Sequence, residues 1–420
     1  MVSRKKWQNI VYIHQFRGKK TFLQKEKVRK QMMFMDKMVE GIFRLSVMDR
    51  EIDLFESQYP VPNGVSYNSY LIEDEKLCLL DTVDARKQEE WLDGLDEKLA
   101  GRKLDYLVIS HLEPDHAGTI GALSRRHPEL TLVSNAKAFA FLDQFTAEEP
   151  ISLPRRVVAE GDTLELGTHT LHFVMAPMVH WPEVMVEYEE KEKVLFSADG
   201  FGNFGGLTYT TDWGDEARRY YANIVGKYGV QVQGLLKKAA ALEITSVCPL
   251  HGPQLSGDAL AHALELYGYW AAWKPEEKGV LVAFASFHGH TAEAARYMAK
   301  CLEELGEKVE LIDLNRVHKS YAVSAAFRFD RMVLCANTYD GAYAPAMEAF
   351  LSVLKIKGLQ GRKAALMENG TWAPMAAKHM RAAMEGMKNM TILDTQVTIR
   401  SAMSEKNRRE IEQMAKEIHA

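Results

Sequence analysis

The chain is poor in cysteine: 4 of its 420 residues are Cys, at positions 78, 248, 301 and 335, with no C-x-x-C pair among them. That scatter excludes a disulfide framework and a four-cysteine iron site within the chain, and it points to a reducing, cytoplasmic setting. No apolar run reaches the roughly 20 residues needed to span a bilayer, so no membrane partner is expected. Charge of one sign is not in excess, since 52 Lys and Arg stand against 57 Asp and Glu for a formal net charge of -5. That balance gives nucleic acid nothing to bind. The G-x-x-x-x-G-K-[ST] signature is missing too, which removes a P-loop nucleotide site.

What is present is a globular composition, 47% hydrophobic, in a chain too long for one ordinary core. Residues 1–37 stand apart as a basic extension with eleven Lys and Arg against Glu26 and Asp36. They lack the sustained apolar segment of a signal peptide. This stretch reads either as a disordered arm or as the product of a start assigned too far upstream, with Met35 or Met38 as the true start. The first strand is expected at Gly41-Ile42-Phe43-Arg44-Leu45. Strands then alternate with helical segments to about Lys274, including a strand at Tyr67–Ile72 and helical periodicity from Ala259 to Trp273. Lys274-Pro275-Glu276-Glu277-Lys278 forms a charged joint.

The densest chemistry lies in His111-Leu112-Glu113-Pro114-Asp115-His116, directly after the apolar run Leu104–Ile109. Two imidazoles and two carboxylates within six residues at a strand end can serve two cations, His111 and Glu113 facing one, Asp115 and His116 the other. A polar turn with incidental histidines is the competing reading. Three further ligand-type residues follow predicted strands: His180 after Leu171–Ala176, Asp199 after Val194–Ser197, and His251 after Val247–Leu250. Strand ends lie along one edge of a sheet, so these groups can meet. His127, His169 and His172 lack such a setting and read as surface or packing residues.

This pattern resembles the metal motif of the metallo-β-lactamase fold, and more specifically that of the flavodiiron proteins. Zinc hydrolases of the fold usually carry histidine where Glu113 stands, and a hard anionic oxygen in that place favours iron. The resemblance implies an αββα sandwich in which His111, Glu113 and His180 hold one iron, Asp115, His116 and His251 hold the other, and Asp199 bridges. Asp81, at the end of Leu77–Leu80, matches an acidic position where it would orient a ligand, although a turn cap is an equal reading.

Past the joint the pattern changes. Gly279–Ala285 is apolar without alternation, as in a strand covered on both faces. It runs through Ser286-Phe287-His288-Gly289-His290-Thr291 into a helix over Ala292–Leu305. Such a loop suits a phosphate, held by free N–H groups and the helix dipole, while an ordinary βα turn capped by Thr291 is the bland alternative. Strands at Val309–Leu314, Met332–Ala336 and Lys363–Met367 complete a resemblance to flavodoxin, with strand order 2-1-3-4-5 and flavin mononucleotide across the strand ends. Asn337, Thr338, Tyr339, Asp340 and Gly341, with Asn369, Gly370, Thr371 and Trp372, would flank the isoalloxazine. His288 and Glu368 depart from the family's usual residues, and a Glu368 carboxylate beside the flavin would disfavour its anionic reduced state.

The resemblance covers roughly residues 38–420, with a diiron domain over 38–274 and a flavodoxin-like domain over 275–420. It implies a reductase passing electrons from FMN to two non-haem irons that reduce dioxygen to water, nitric oxide to nitrous oxide, or both. The donor would be external, rubredoxin or a flavin reductase, and a head-to-tail homodimer or dimer of dimers would bring each flavin to the other protomer's metals. The rival from another class is a zinc-dependent hydrolase fused to a flavodoxin.

Overall fold

The computed structural model describes residues 33–420. The basic extension lies outside the described residues except for its last five positions. Those five belong to a strand, Met33–Val39, that pairs antiparallel with Ile42–Asp49. The expected first strand is therefore the second, and Gly41 turns the hairpin at φ 71°.

Two sheets pack face to face in the first half. One has seven strands in the order Met33–Val39, Ile42–Asp49, Val65–Glu73, Leu77–Leu80, Tyr106–Val108, Thr131–Ser134, Arg155–Val157. The other has six, in the order Thr163–Glu165, Thr170–Met175, Met185–Glu189, Val194–Phe196, Ser246–Cys248, Leu255–Ser256. Their shared core holds Ile42, Tyr70, Ile72, Leu80 and Val108 from the first sheet, with Leu171, Phe173, Met185 and Phe196 from the second. Helices Gln88–Leu99 and Ala136–Phe145 turn Trp91, Leu95, Phe139 and Leu142 inward, and Gly257–Ala271 does the same with Ala263, Leu266 and Trp270. Apolar residues at helical spacing on such an outer element bury one stripe and leave the rest to water. The result is the expected αββα sandwich.

The second half is a parallel sheet in the order Val309–Asp313, Glu277–Ala285, Phe329–Tyr339, Lys363–Asn369, Thr391–Ile399, which is 2-1-3-4-5. The strand Glu277–Ala285, flanked by a neighbour on each side, is buried from Gly279 to Ala285, explaining the unbroken apolar run. The joint is shorter than the sequence suggests, since Glu277 and Lys278 already belong to this strand.

The halves are packed together. Helix Trp213–Ile224 lies against helix Lys319–Arg328, and Asn223 Nδ2 donates to the Ser320 carbonyl at 3.1 Å. The Arg219 guanidinium sits between the rings of Phe204 and Tyr321, 4.4 and 4.5 Å from their centroids. Arg362, fully buried, donates to the carbonyls of Trp273, Ala326, Phe327 and Gln360, clasping the joint to the second sheet.

Candidate functional site

The loop His111–His116 leaves the strand Tyr106–Val108, whose parallel neighbours Leu77–Leu80 and Thr131–Ser134 fix its direction. Asp199 and His251 follow the parallel pair Val194–Phe196 and Ser246–Cys248 in the facing sheet, and His180 stands in the connection before Met185–Glu189. Hydrogen bonds tie the two sheets at this end. Asn68 donates through Nδ2 to the carbonyls of Pro249 and Gly252 at 2.8 and 2.9 Å, and Ser66 Oγ accepts from Gly252 N at 2.7 Å. Gly252 has φ 86°, and a Cβ there would lie 1.9 Å from Asn203 Oδ1, so a side chain is excluded beside His251.

All seven residues singled out in the sequence converge, in two groups: His111, Glu113, His180 and Asp199; and Asp115, His116 and His251. Asp199 faces both. Its Oδ2 lies 3.3 Å from His111 Nε2 and 3.1 Å from His180 Nε2, while its Oδ1 lies 3.1 Å from His116 Nε2 and 3.5 Å from His251 Nε2. Glu113 Oε2 stands 3.3 Å from His111 Nε2 and 3.0 Å from His180 Nε2, and Asp115 Oδ2 stands 3.4 and 3.2 Å from the Nε2 atoms of His116 and His251. Both Asp115 oxygens and His251 Nε2 are buried without a hydrogen-bond partner among the described residues. Buried polar atoms left unpaired are costly, and a converging set of nitrogen and oxygen donors is satisfied by cations. The donor set fits two metal ions.

Backbone and carboxylate partners fix the imidazole orientation. His251 Nδ1 donates to the Ser66 carbonyl at 2.7 Å, and His111 Nδ1 donates to Glu183 Oε1 at 2.8 Å. Each bond leaves Nε2 free to offer a lone pair, the usual division of labour in a metal-bound histidine. Glu183, which also accepts from Leu112 N at 3.0 Å, is a residue that the sequence reading missed. Its signal was a carboxylate three residues after a candidate ligand. Asp81, for which the sequence left ligand-orienting and turn-capping readings equal, accepts through Oδ1 from the backbone N–H groups of Ser110 (2.8 Å) and His111 (3.4 Å), so it holds the loop and bonds no imidazole. It does so from a left-handed backbone, φ 55°. Tyr220 was also missed; its buried ring lies 5.5 Å from that of His251.

Charge in the cluster is strongly coupled. Burial by itself would lower the imidazoles, but Asp115 and Asp199 push His116 up to about 9, and Asp199 and Glu113 push His180 up to about 9. The histidines in turn overcome burial to hold Glu113 and Asp199 well below the usual carboxylate range. Glu56, at the turn between strands Leu54–Phe55 and Tyr59–Pro60, is pushed up to about 7 by burial and by the Glu113 charge.

A second site opens at the strand ends of the parallel sheet, a cavity of about 680 Å³. Thirteen of the fifteen residues expected around a flavin line it: Ser286, Phe287, His288, His290, Thr291, Asn337, Thr338, Asp340, Gly341, Asn369, Gly370, Thr371 and Trp372. Gly289 instead turns the first loop at φ 92° and Tyr339 packs edge-on against Phe287, ring centroids 5.2 Å apart. Ala373, Met375 and Ser401 complete the wall and were missed. Not every lining group is free: Thr338 Oγ1 accepts from Met375 N and Ala376 N, and Asn369 is doubly bonded to the Ser401 backbone. Asn337 Oδ1 is buried without a hydrogen-bond partner among the described residues. The expectation for Glu368 is corrected. Its carboxylate accepts from Ala377 N, Gln396 Nε2 and Thr398 Oγ1 and does not line the cavity.

Residues 65–252 match the model of the ODP family beta lactamase, and residues 281–413 match a flavodoxin domain. The chain is 31% identical over 366 residues to rubredoxin-oxygen oxidoreductase of Megalodesulfovibrio gigas, covering 84% of this chain and 89% of that protein. It is 28% identical over 335 residues to the anaerobic nitric oxide reductase flavorubredoxin of Pectobacterium atrosepticum, covering 76% of this chain and 64% of that one. The solved structure of rubredoxin oxygen:oxidoreductase from Desulfovibrio gigas superposes with a TM-score of 0.85 at 27% identity, covering 92% of this chain and 98% of that one. With both family models in this order and a relative aligned over most of both lengths, the chain belongs to the flavodiiron proteins and is an oxidoreductase.

Proposed function

We propose that the seven converging side chains hold two iron ions, that the second cavity holds FMN, and that the protein reduces dioxygen to water, nitric oxide to nitrous oxide, or both. The single observation carrying this reading is the division of the donors into two groups around Asp199, each with a carboxylate and two imidazoles of its own. The carboxylate oxygen that Glu113 offers in its group supports iron over zinc. When bound, a redox-active metal pair binds the diatomic and a flavin supplies electrons singly from a two-electron store.

The chain's own residues set the conditions. Asp199 shares its two oxygens between the groups, and Glu183 and the Ser66 carbonyl hold two imidazoles in the tautomer that ligates. Phe55 and Tyr67 stand edge-on to His251, with centroids 5.4 and 5.7 Å away, and keep that side of the site dry. We read the metal unit as ending near Lys274 and the flavin unit as beginning at Pro275. The site and the cavity lie in different units, so electron transfer is proposed to run between protomers of a head-to-tail homodimer. An external donor such as rubredoxin or a flavin reductase would recharge the flavin. Four free cysteines support a reducing, cytoplasmic setting, and no helix among the described residues is long and apolar enough to cross a membrane.

The test is anaerobic reduction of the purified protein followed by separate pulses of each gas. Two irons and one flavin per chain, with consumption of at least one gas, are expected. Two zinc ions with hydrolytic activity and no gas consumption would overturn the reading.

A further inference from the structure

The seven donors are walled in: no side chain among them is more than 15% exposed, and His111, His116, Asp199 and His251 are 1% exposed or less. A hydrated cation does not seep through packed apolar side chains, because an uncompensated charge is costly in such surroundings. Part of the wall must therefore move whenever the cluster is filled or emptied.

One stretch of that wall is built lightly. The strands Leu54–Phe55 and Tyr59–Pro60 form a two-stranded sheet of their own. Leu54, Glu56, Ser57 and Gln58 are exposed, while Phe55 and Tyr59 are buried. The Phe55 ring packs against those of His251, Phe204 and Tyr220, at centroid distances of 5.4, 5.5 and 6.4 Å. Tyr59 is anchored separately, its hydroxyl donating to the Asn223 carbonyl at 3.2 Å. The turn between them is Glu56-Ser57, with φ of 49° and 55°, closed by Gln58 N donating to the Phe55 carbonyl at 2.9 Å. Two positive φ angles in a two-residue turn suit a pair such as Asn-Gly, and Glu and Ser hold them under strain. A hairpin this short is marginal by itself, so it opens at lower cost than the long ladders of the two main sheets.

We infer that the hairpin Leu54–Pro60 is the gate through which metal ions reach the cluster, with Phe55 as the plug that withdraws and Tyr59 as the anchor that stays. The inference rests on the reading that the seven donors hold metal ions. Glu56 stands at the tip, where its carboxylate senses the charges of Glu113 and Asp115, so an entering cation meets an anionic group before it reaches the buried donors. The wall on the His111 side has no such hinge. There Trp181 stands edge-on to His111 with centroids 5.2 Å apart, and Phe145 stacks on Trp181 from a helix whose Ala138, Phe139 and Leu142 are seated in the main core. A gate of this kind changes how fast ions come and go, and it leaves their affinity for the closed site alone.

The experiment mixes full-length, metal-free protein with cobalt(II) under anaerobic conditions, follows uptake by the visible absorption of the bound ion, and measures release into EDTA. Phe55→Ala should speed uptake and release about tenfold or more while equilibrium affinity stays within about threefold. Ser57→Gly relieves the left-handed turn and steadies the closed hairpin, so both rates should slow about threefold or more. Hydrogen exchange at the Gln58 amide should slow by the same factor in that variant. Phe145→Ala should leave both rates within about twofold. Unchanged rates in Phe55→Ala and Ser57→Gly, acceleration in Phe145→Ala instead, or a shift in affinity without a matching change in both rates would each overturn the inference. Failure of the parent protein to take up cobalt would instead overturn the proposed metal site.

Discussion

Glu113 stands between His111 and His180 as a hard oxygen donor, and under the proposed function it is the residue that would set which metal the site prefers. Glu113→His should therefore lower iron retention by more than tenfold while zinc retention changes less, measured by elemental analysis after dialysis against a chelator. Glu183→Gln keeps the shape but weakens the acceptor that orients His111, and metal affinity should fall about 10–100-fold in a chelator competition with the fold intact. The protonation network makes a further prediction for the metal-free form. His116 and His180 are raised to about 9 from an ordinary value of about 6.5, so their contribution to stability is complete below pH 6.5 and is lost as pH rises through 9. The melting temperature of metal-free protein should thus decline from pH 6.5 to 9.5, while that of the metal-loaded protein, whose imidazoles are already deprotonated, should not follow it. Each residue of the seven was legible in the sequence because it stands at a strand end with an unusual density of donors. Glu183, Tyr220 and Asp81's grip on the backbone were not legible, since their roles depend on which atom meets which.

Elements bring these groups together, and the joining of the two sheets at the site is their main work. Asp81 is the pin on one side: a buried carboxylate, raised by burial, that receives the Ser110 and His111 N–H groups where the strand Tyr106–Val108 gives way to its loop. Asp81→Ala would leave Ser110 N without its acceptor, costing about 1–3 kcal/mol of stability by denaturant unfolding and loosening metal retention with it. The strand Gly279–Ala285 and its helix were read correctly because a doubly covered strand has no alternation to misread. Tyr106–Val108 proved shorter than the apolar run Leu104–Ile109, because pairing to Leu77–Leu80 and Thr131–Ser134 ends where the loop turns toward the site. The strand Met33–Val39 was missed altogether. Phe34 and Met35 are exposed along it, so hydrophobic patterning gave no inward face to detect, and only its ladder with Ile42–Asp49 defines it.

At the scale of the molecule, the sequence indicated two units and a charged joint but not how they hold one another. Arg219 and Arg362 supply that answer with cation–π contacts and carbonyl acceptors, neither of which has a sequence signature. Arg362→Met should accelerate proteolytic cleavage near residues 272–277 several-fold while metal and flavin contents stay near parental values, read by timed digestion and mass spectrometry. The proposed dimer is tested by dilution: reductase activity per chain should fall as protomers separate in sedimentation measurements, and a fully active monomer would reject transfer between protomers.

Asp199 faces both groups of donors, and its near-complete burial gives it little room to turn. A cation drawn to one of its oxygens would also hold the other in place, so binding at one donor group would prepare the second. Loading should then be cooperative, with singly occupied protein scarce at every stage of a titration and the pair gained or lost nearly as a unit.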